Sequence, residues 1–84
     1  TKAAARQYAE NGIRVNAICP GYTRTNMHTD ENRQRIVDEI VPARVPMKRM
    51  ESPDELKGLA VWLASDASSY VTGQMFIQDG GEMA

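Results

Sequence analysis

The sequence predicts an α/β fold: the last βαβ unit of a doubly wound parallel sheet, preceded by one helix. Three observations carry this. Residues 13 to 19 alternate in the manner of a strand and stop at Pro20-Gly21. Ser52-Pro53-Asp54-Glu55 opens a run with apolar residues at helical spacing. Residues 74 to 78 make a second short stretch around Met75, Phe76 and Ile77, closed by Asp79-Gly80-Gly81. A strand, crossover helix and strand in one sheet form a right-handed unit with parallel strands. Their C-terminal ends then share the edge at which open α/β sheets bind ligands.

Each element has its own signal. Residues 2 to 10 are strong helix formers, and Asn11-Gly12 follows as a C-cap pair, with Gly12 suited to a left-handed conformation. In the strand, Ile13, Val15, Ala17 and Cys19 lie on one side and Arg14, Asn16 and Ile18 on the other. Pro20 has no N–H for a ladder, so the strand is expected to stop before it. Asp30 is placed to cap a short helix over residues 31 to 40, with Ile36, Val37 and Ile40 as a narrow apolar stripe. Pro42 and Pro46 are expected to break the chain into an extended segment. Ser52 at N-cap, Pro53 at N1 and Glu55 at N3 form a capping box. Leu56, Leu59, Ala60 and Leu63 then line one face of the following helix, which residues 65 to 69 end.

Bulk properties bound the function. The chain has 84 residues, a formal charge of −1, 42% apolar and 25% charged residues, ordinary globular material rather than a disordered one. Near-neutral charge gives no basic footprint for nucleic acid and no polybasic membrane patch. No apolar run approaches the roughly 20 residues that span a bilayer. The single cysteine rules out an internal disulfide, and no apolar leader follows Thr1-Lys2-Ala3, so a cytoplasmic location is expected. The chain begins at Thr1 rather than Met, as a processed chain or a piece of a longer one does. Two strands alone leave the first strand with an unpaired side, so the chain by itself is expected to be molten, aggregated or unfolded.

The run Gly12-Ile13-Arg14-Val15-Asn16-Ala17-Ile18-Cys19-Pro20-Gly21 resembles the sixth strand and Pro-Gly turn of the short-chain dehydrogenase/reductase family. Arg49-Met50-Glu51-Ser52-Pro53-Asp54-Glu55 is similar to the start of that family's last long helix. The run from Ser65 through Tyr70 to Gln74, with Asp79-Gly80-Gly81, resembles its last helix-to-strand passage. The resemblance covers the whole chain in the right order and implies the C-terminal part of a Rossmann-like NAD(P)-binding domain. Residues 1–25 would supply a helix, a strand and the cofactor turn, residues 26–51 the substrate lid, and residues 52–84 the last helix and strand.

What the resemblance implies about chemistry is specific. The whole protein would transfer a hydride between NAD or NADP and an alcohol or carbonyl carbon. Pro20, Gly21, Tyr22, Thr23 and Thr25 would form the cofactor-binding segment. Thr23 would offer its backbone N–H and C=O to the nicotinamide carboxamide, and Thr25 its hydroxyl to the carboxamide or pyrophosphate. The catalytic Tyr and Lys would lie roughly two to three helical turns before Thr1, and the catalytic Ser and Gly-rich turn also outside the chain. Lys2 is then a solvated helix lysine, no catalytic residue lies in the chain, and the chain alone is expected to be inactive. A homo-oligomer, dimer or tetramer, is implied for the whole protein, with no metal, nucleic acid or membrane.

Other residues have plainer readings beside functional ones. Met27, Met47 and Met50 would line an apolar pocket wall or simply pack the lid against the body. His28, the single histidine, is read as a solvated lid residue rather than a ligand or acid/base. Cys19 is read as a buried small hydrophobe. The rival to an enzyme is a non-catalytic interaction or oligomerisation module that uses the helix after Ser52 and the strand at residues 74 to 78.

Overall fold

The first helix, α1 (Lys2–Tyr8), tightens into a 3₁₀ turn over Ala9–Asn11. These elements belong to a computed structural model that describes residues 1–24 and 30–84. Gly12 ends the turn at φ 74°, with its N–H donating to the Ala9 carbonyl at 3.1 Å, as its place after Asn11 predicts. Ala5 is the buried residue of α1. A Cβ on Gly73 would come within 3.3 Å of the Ala5 methyl, so helix and turn are in close contact there. Lys2, read as a solvated helix lysine, is exposed, and so are Arg6, Gln7 and Tyr8.

Strand β1 (Ala17–Pro20) pairs in parallel with β2 (Met75–Gln78), in the register Ala17↔Met75 to Pro20↔Gln78. The ladder starts four residues later than the alternation suggests and includes Pro20. Residues 13 to 16 run instead beside the turn that precedes β2, held largely by side chains. The Val15 N–H donates to Thr72 Oγ1 at 3.1 Å, Asn16 Nδ2 to the Val71 carbonyl at 3.0 Å, and the Gln74 N–H to Asn16 Oδ1 at 3.1 Å. Pro20 is tolerated because of its parity. The N–H groups of Ala17 and Gly21 donate to the Gln74 and Gln78 carbonyls at 2.9 and 3.0 Å, so even-numbered nitrogens face away from β2. Cys19, opposite Ile77, is half-buried rather than buried.

The helix after position 29 outlasts its predicted end. Segment α2 (Asp30–Arg35) passes through a π-helical turn at Ile36–Ile40 into α3 (Val41–Arg44). Pro42 sits at the start of α3 and does not break the chain. The widened turn, in which the Val41 N–H reaches back to the Ile36 carbonyl, loosens the backbone into which a proline ring would otherwise drive. The chain becomes extended only at Val45, with φ −102° and ψ 112°. Val41, Val45 and Met50 form a small buried cluster, with Tyr22 and Ile36 packed against it. Val37, expected in the apolar stripe, is exposed.

Helix α4 (Pro53–Ala64) carries the predicted capping box with both halves formed. The Ser52 N–H donates to Glu55 Oε1 at 3.0 Å, and Pro53 occupies the first turn. Its C-terminal carbonyls are satisfied from a distance. Arg14 donates to the carbonyls of Leu63 at 2.8 Å and of Ser65 and Val71 at 3.3 Å, which also sets a cation at the negative helix end. The fully buried Ser68 hydroxyl lies 2.7 Å from the Trp62 carbonyl. Trp62 meets Phe76 edge-on at 5.8 Å, holding α4 to β2. Leu56, Leu59 and Leu63 are only half-buried and Ala60 is exposed. The total accessible surface of 6304 Å² exceeds the roughly 5,000 Å² of a compact monomer of this mass. This is a small α/β piece of a doubly wound sheet with faces left open.

Candidate functional site

The C-terminal ends of β1 and β2 lie side by side, and the segment from Pro20 to Thr23 leaves the sheet there. Gly21 is required by space: a Cβ would stand 2.8 Å from both Cα and Cβ of Asp79. Asp79 in turn closes the turn after β2, its carboxylate accepting the N–H groups of Gly81 at 2.9 Å and Met83 at 3.0 Å. Two polypeptide backbones therefore meet at this edge with no side chain between them.

Beyond the turn, Thr23 and Glu51 form an isolated parallel bridge. The Glu51 N–H donates to the Tyr22 carbonyl at 2.8 Å and the Arg24 N–H to the Glu51 carbonyl at 3.0 Å. Such a bridge uses the groups on either side of the bridged residue. The N–H and C=O of Thr23 itself consequently face the opposite side, one donor and one acceptor on adjacent positions of one backbone edge. The half-buried Tyr22 ring packs on the Val41, Val45 and Met50 cluster and fixes the height of this edge.

A polar network supports the bridge. Thr23 Oγ1 lies 3.2 Å from Glu51 Oε2 and 3.3 Å from the Gly21 carbonyl. Glu51 Oε1 accepts a hydrogen bond from Gln78 Nε2, which also lies 2.8 Å from the Glu55 carbonyl. Arg49 grips Glu55 with two parallel hydrogen bonds of 2.6 and 3.0 Å. That guanidinium, followed by the Ser52 N–H, holds the Glu55 carboxyl at a pKa of about 2. Glu55 in return raises the pKa of Arg49. A cleft of about 200 Å³ opens beside the network, lined by Gly21, Tyr22, Met47, Arg49, Glu51 and Gly80 among others.

Of the residues the sequence singles out, Pro20, Gly21, Tyr22 and Thr23 are brought together at this edge. Thr25, Met27 and His28 lie outside the described residues. Met50 belongs to the buried cluster, whereas Met47 is exposed and lines the cleft. Glu51 and Gln78 were not singled out. Glu51 joins Thr23 across 28 residues and Gln78 joins Glu51 across 27, distances at which no local pattern announces a partner. Arg49 was visible only as part of the run before Ser52, and Glu55 only as a capping residue. Among the described residues no group of three or more His, Cys, Asp or Glu is placed to hold a metal ion. Nor is any described helix long and apolar enough to cross a membrane.

The chain is similar in sequence and fold to known proteins. Residues 1–82 match the family model described as enoyl-(acyl carrier protein) reductase. Oxidoreductase UcpA of Escherichia coli K12 is 47% identical over 88 residues, which cover 96% of this chain and 33% of that protein. Acetoacetyl-CoA reductase of Shinella zoogloeoides is 40% identical over 82 residues, covering 98% of this chain and 34% of the relative. The crystal structure of a short-chain type dehydrogenase/reductase from Mycobacterium marinum superposes with a TM-score of 0.89 at 40% identity, covering 100% of this chain and 32% of that one. The chain thus spans about a third of the length of the curated relatives it matches.

Proposed function

The chain belongs to the short-chain dehydrogenase/reductase family, and from that premise we propose that it forms one wall of the nicotinamide site in a longer NAD(P)-dependent oxidoreductase. The observation that carries this reading is the outward-facing N–H and C=O of Thr23 at the shared strand edge. A carboxamide presents both a donor and an acceptor, so this edge is its complement. Pro20 and Gly21 bring the backbone close enough to serve as that wall. Tyr22 sets its height. Thr25 is assigned a hydroxyl contact to the carboxamide or pyrophosphate. When bound, NAD or NADP supplies or accepts the hydride exchanged with an alcohol or carbonyl carbon. The chain's own part is orientation: a fixed carboxamide decides which ring face meets the substrate. The named relatives include an acetoacetyl-CoA reductase, which fits a carbonyl compound as substrate class.

The test uses the longer protein. Thr23→Pro deletes the outward N–H, and a proline is compatible with the bridge because that nitrogen faces away from Glu51. Thr23→Val, which keeps the N–H, is the comparison. The proline variant is expected to bind the reduced cofactor about tenfold more weakly than the valine variant. It is expected to bind ADP-ribose, which lacks the nicotinamide, equally well. Equal affinities of the two variants for the reduced cofactor would remove Thr23 from the site.

A second reading concerns assembly. Val61, Met75 and Ile77 are each more than half exposed on α4 and β2. We propose that these elements pair with a second copy in the longer protein. Sedimentation analysis is expected to give a dimer or tetramer, and a monomer would refute it.

A further inference from the structure

We propose that Glu51 is a positioning residue that sets the rotation of the Thr23 backbone, an inference that rests on the nicotinamide reading above. The isolated bridge has two backbone hydrogen bonds, 2.8 and 3.0 Å long, on either side of Thr23. Because each peptide is planar, the bonded Tyr22 carbonyl and Arg24 N–H set the directions of the Thr23 N–H and C=O. Hydrogen bonds tolerate a bend of about 30° before they weaken steeply, so these two leave a residual tilt of the Thr23 edge. The Glu51 carboxylate adds side-chain contacts that narrow that tilt. One oxygen lies 3.2 Å from the Thr23 hydroxyl, and the other accepts from Gln78 Nε2 at the end of β2. Three segments far apart in sequence are thereby locked at one carboxylate.

The chemistry of the neighbours favours this role over a loose surface contact. Arg49 is engaged by Glu55 in a bidentate pair, which leaves Glu51 to the neutral donors of Thr23 and Gln78. Hydrogen bonds to an ionised acceptor are shorter and stronger than neutral ones, so the lock is worth more than an ordinary side-chain contact.

The experiment compares reduced cofactor and ADP-ribose binding in the longer protein and its variants. Glu51→Ala is expected to weaken reduced-cofactor binding about tenfold and to leave ADP-ribose affinity within about twofold. Thr23→Val should show the same selectivity with a smaller loss. The double variant should be no weaker than Glu51→Ala alone, because the two groups act through one contact. Glu51→Gln should recover part of the loss, since its amide can still pair with Thr23 and Gln78 but only through the weaker neutral hydrogen bonds. Equal loss of both ligands, no loss of either, or additive losses in the double variant overturn the proposal. If Thr23→Pro is selective and Glu51→Ala is not, this inference alone falls. If Thr23→Pro has no effect, the nicotinamide reading falls with it.

Discussion

Replacing Gly21 by alanine tests the geometry of the strand edge most severely. The added methyl would stand 2.8 Å from Asp79 Cα and Cβ and 3.3 Å from its carbonyl oxygen. Ordinary carbon–carbon contact begins near 3.4 Å, so one backbone must retreat by about 0.6 Å. Neither is free to do so. The Gly21 N–H is bonded to the Gln78 carbonyl at 3.0 Å, and the Asp79 carboxylate holds Gly81 and Met83. Overpacking of this kind costs about 1–3 kcal/mol. For a domain of about 250 residues, near the length of the relatives, ~2 kcal/mol lowers Tm by about 4–8 °C. The same displacement moves the Tyr22 to Arg24 segment, and misplacement of a positioning group by a fraction of an ångström is expected to reduce kcat/KM by about tenfold or more. Differential scanning calorimetry and steady-state kinetics on the longer protein read both effects. An unchanged Tm together with unchanged kcat/KM would show that the two backbones do not meet as described.

Three further outcomes are expected. Arg14→Met removes the donors to the Leu63, Ser65 and Val71 carbonyls and should cost about 2 kcal/mol in urea unfolding; a loss below about 0.5 kcal/mol would refute the capping role. The Glu55 carboxyl should titrate at about 2 by carbon NMR, below its usual 4.5. Because its folded-state pKa is depressed, the Arg49–Glu55 contribution is complete above about 4.5 and is lost as pH falls through about 2. An ordinary carboxylate midpoint would mean the pair is not formed in solution. The 84-residue chain by itself should show no dehydrogenase activity and no saturable enhancement of NADH fluorescence; either signal would contradict the assignment of one wall only.

Legibility followed the range of the interactions. Gly12 and the Ser52–Glu55 box were readable because a cap is decided within four residues. The helix order and the parallel pairing were readable for a similar reason, since a helix between two strands leaves one right-handed solution. The start of β1 was not. Alternation at residues 13 to 16 looks the same whether the partner is a strand or, as here, the Asn16 and Thr72 side chains beside a turn. Pro20 and Pro42 misled for opposite reasons. One sits where the ladder needs no N–H, and the other follows a π turn that makes room for it. In the site, the segment from Pro20 to Thr23 was visible as a strand end. Its supports Glu51 and Gln78 were not, because a carboxylate and an amide have no signature until folding brings them together.

The central claim is that Thr23 faces the nicotinamide. A crystal structure of the longer protein with bound NAD or NADP tests it most directly. The account predicts the carboxamide within about 3.2 Å of both the Thr23 nitrogen and the Thr23 carbonyl oxygen, with Glu51 still joined to the Thr23 hydroxyl. A carboxamide held by other residues, with the Thr23 N–H and C=O left to solvent, would contradict it.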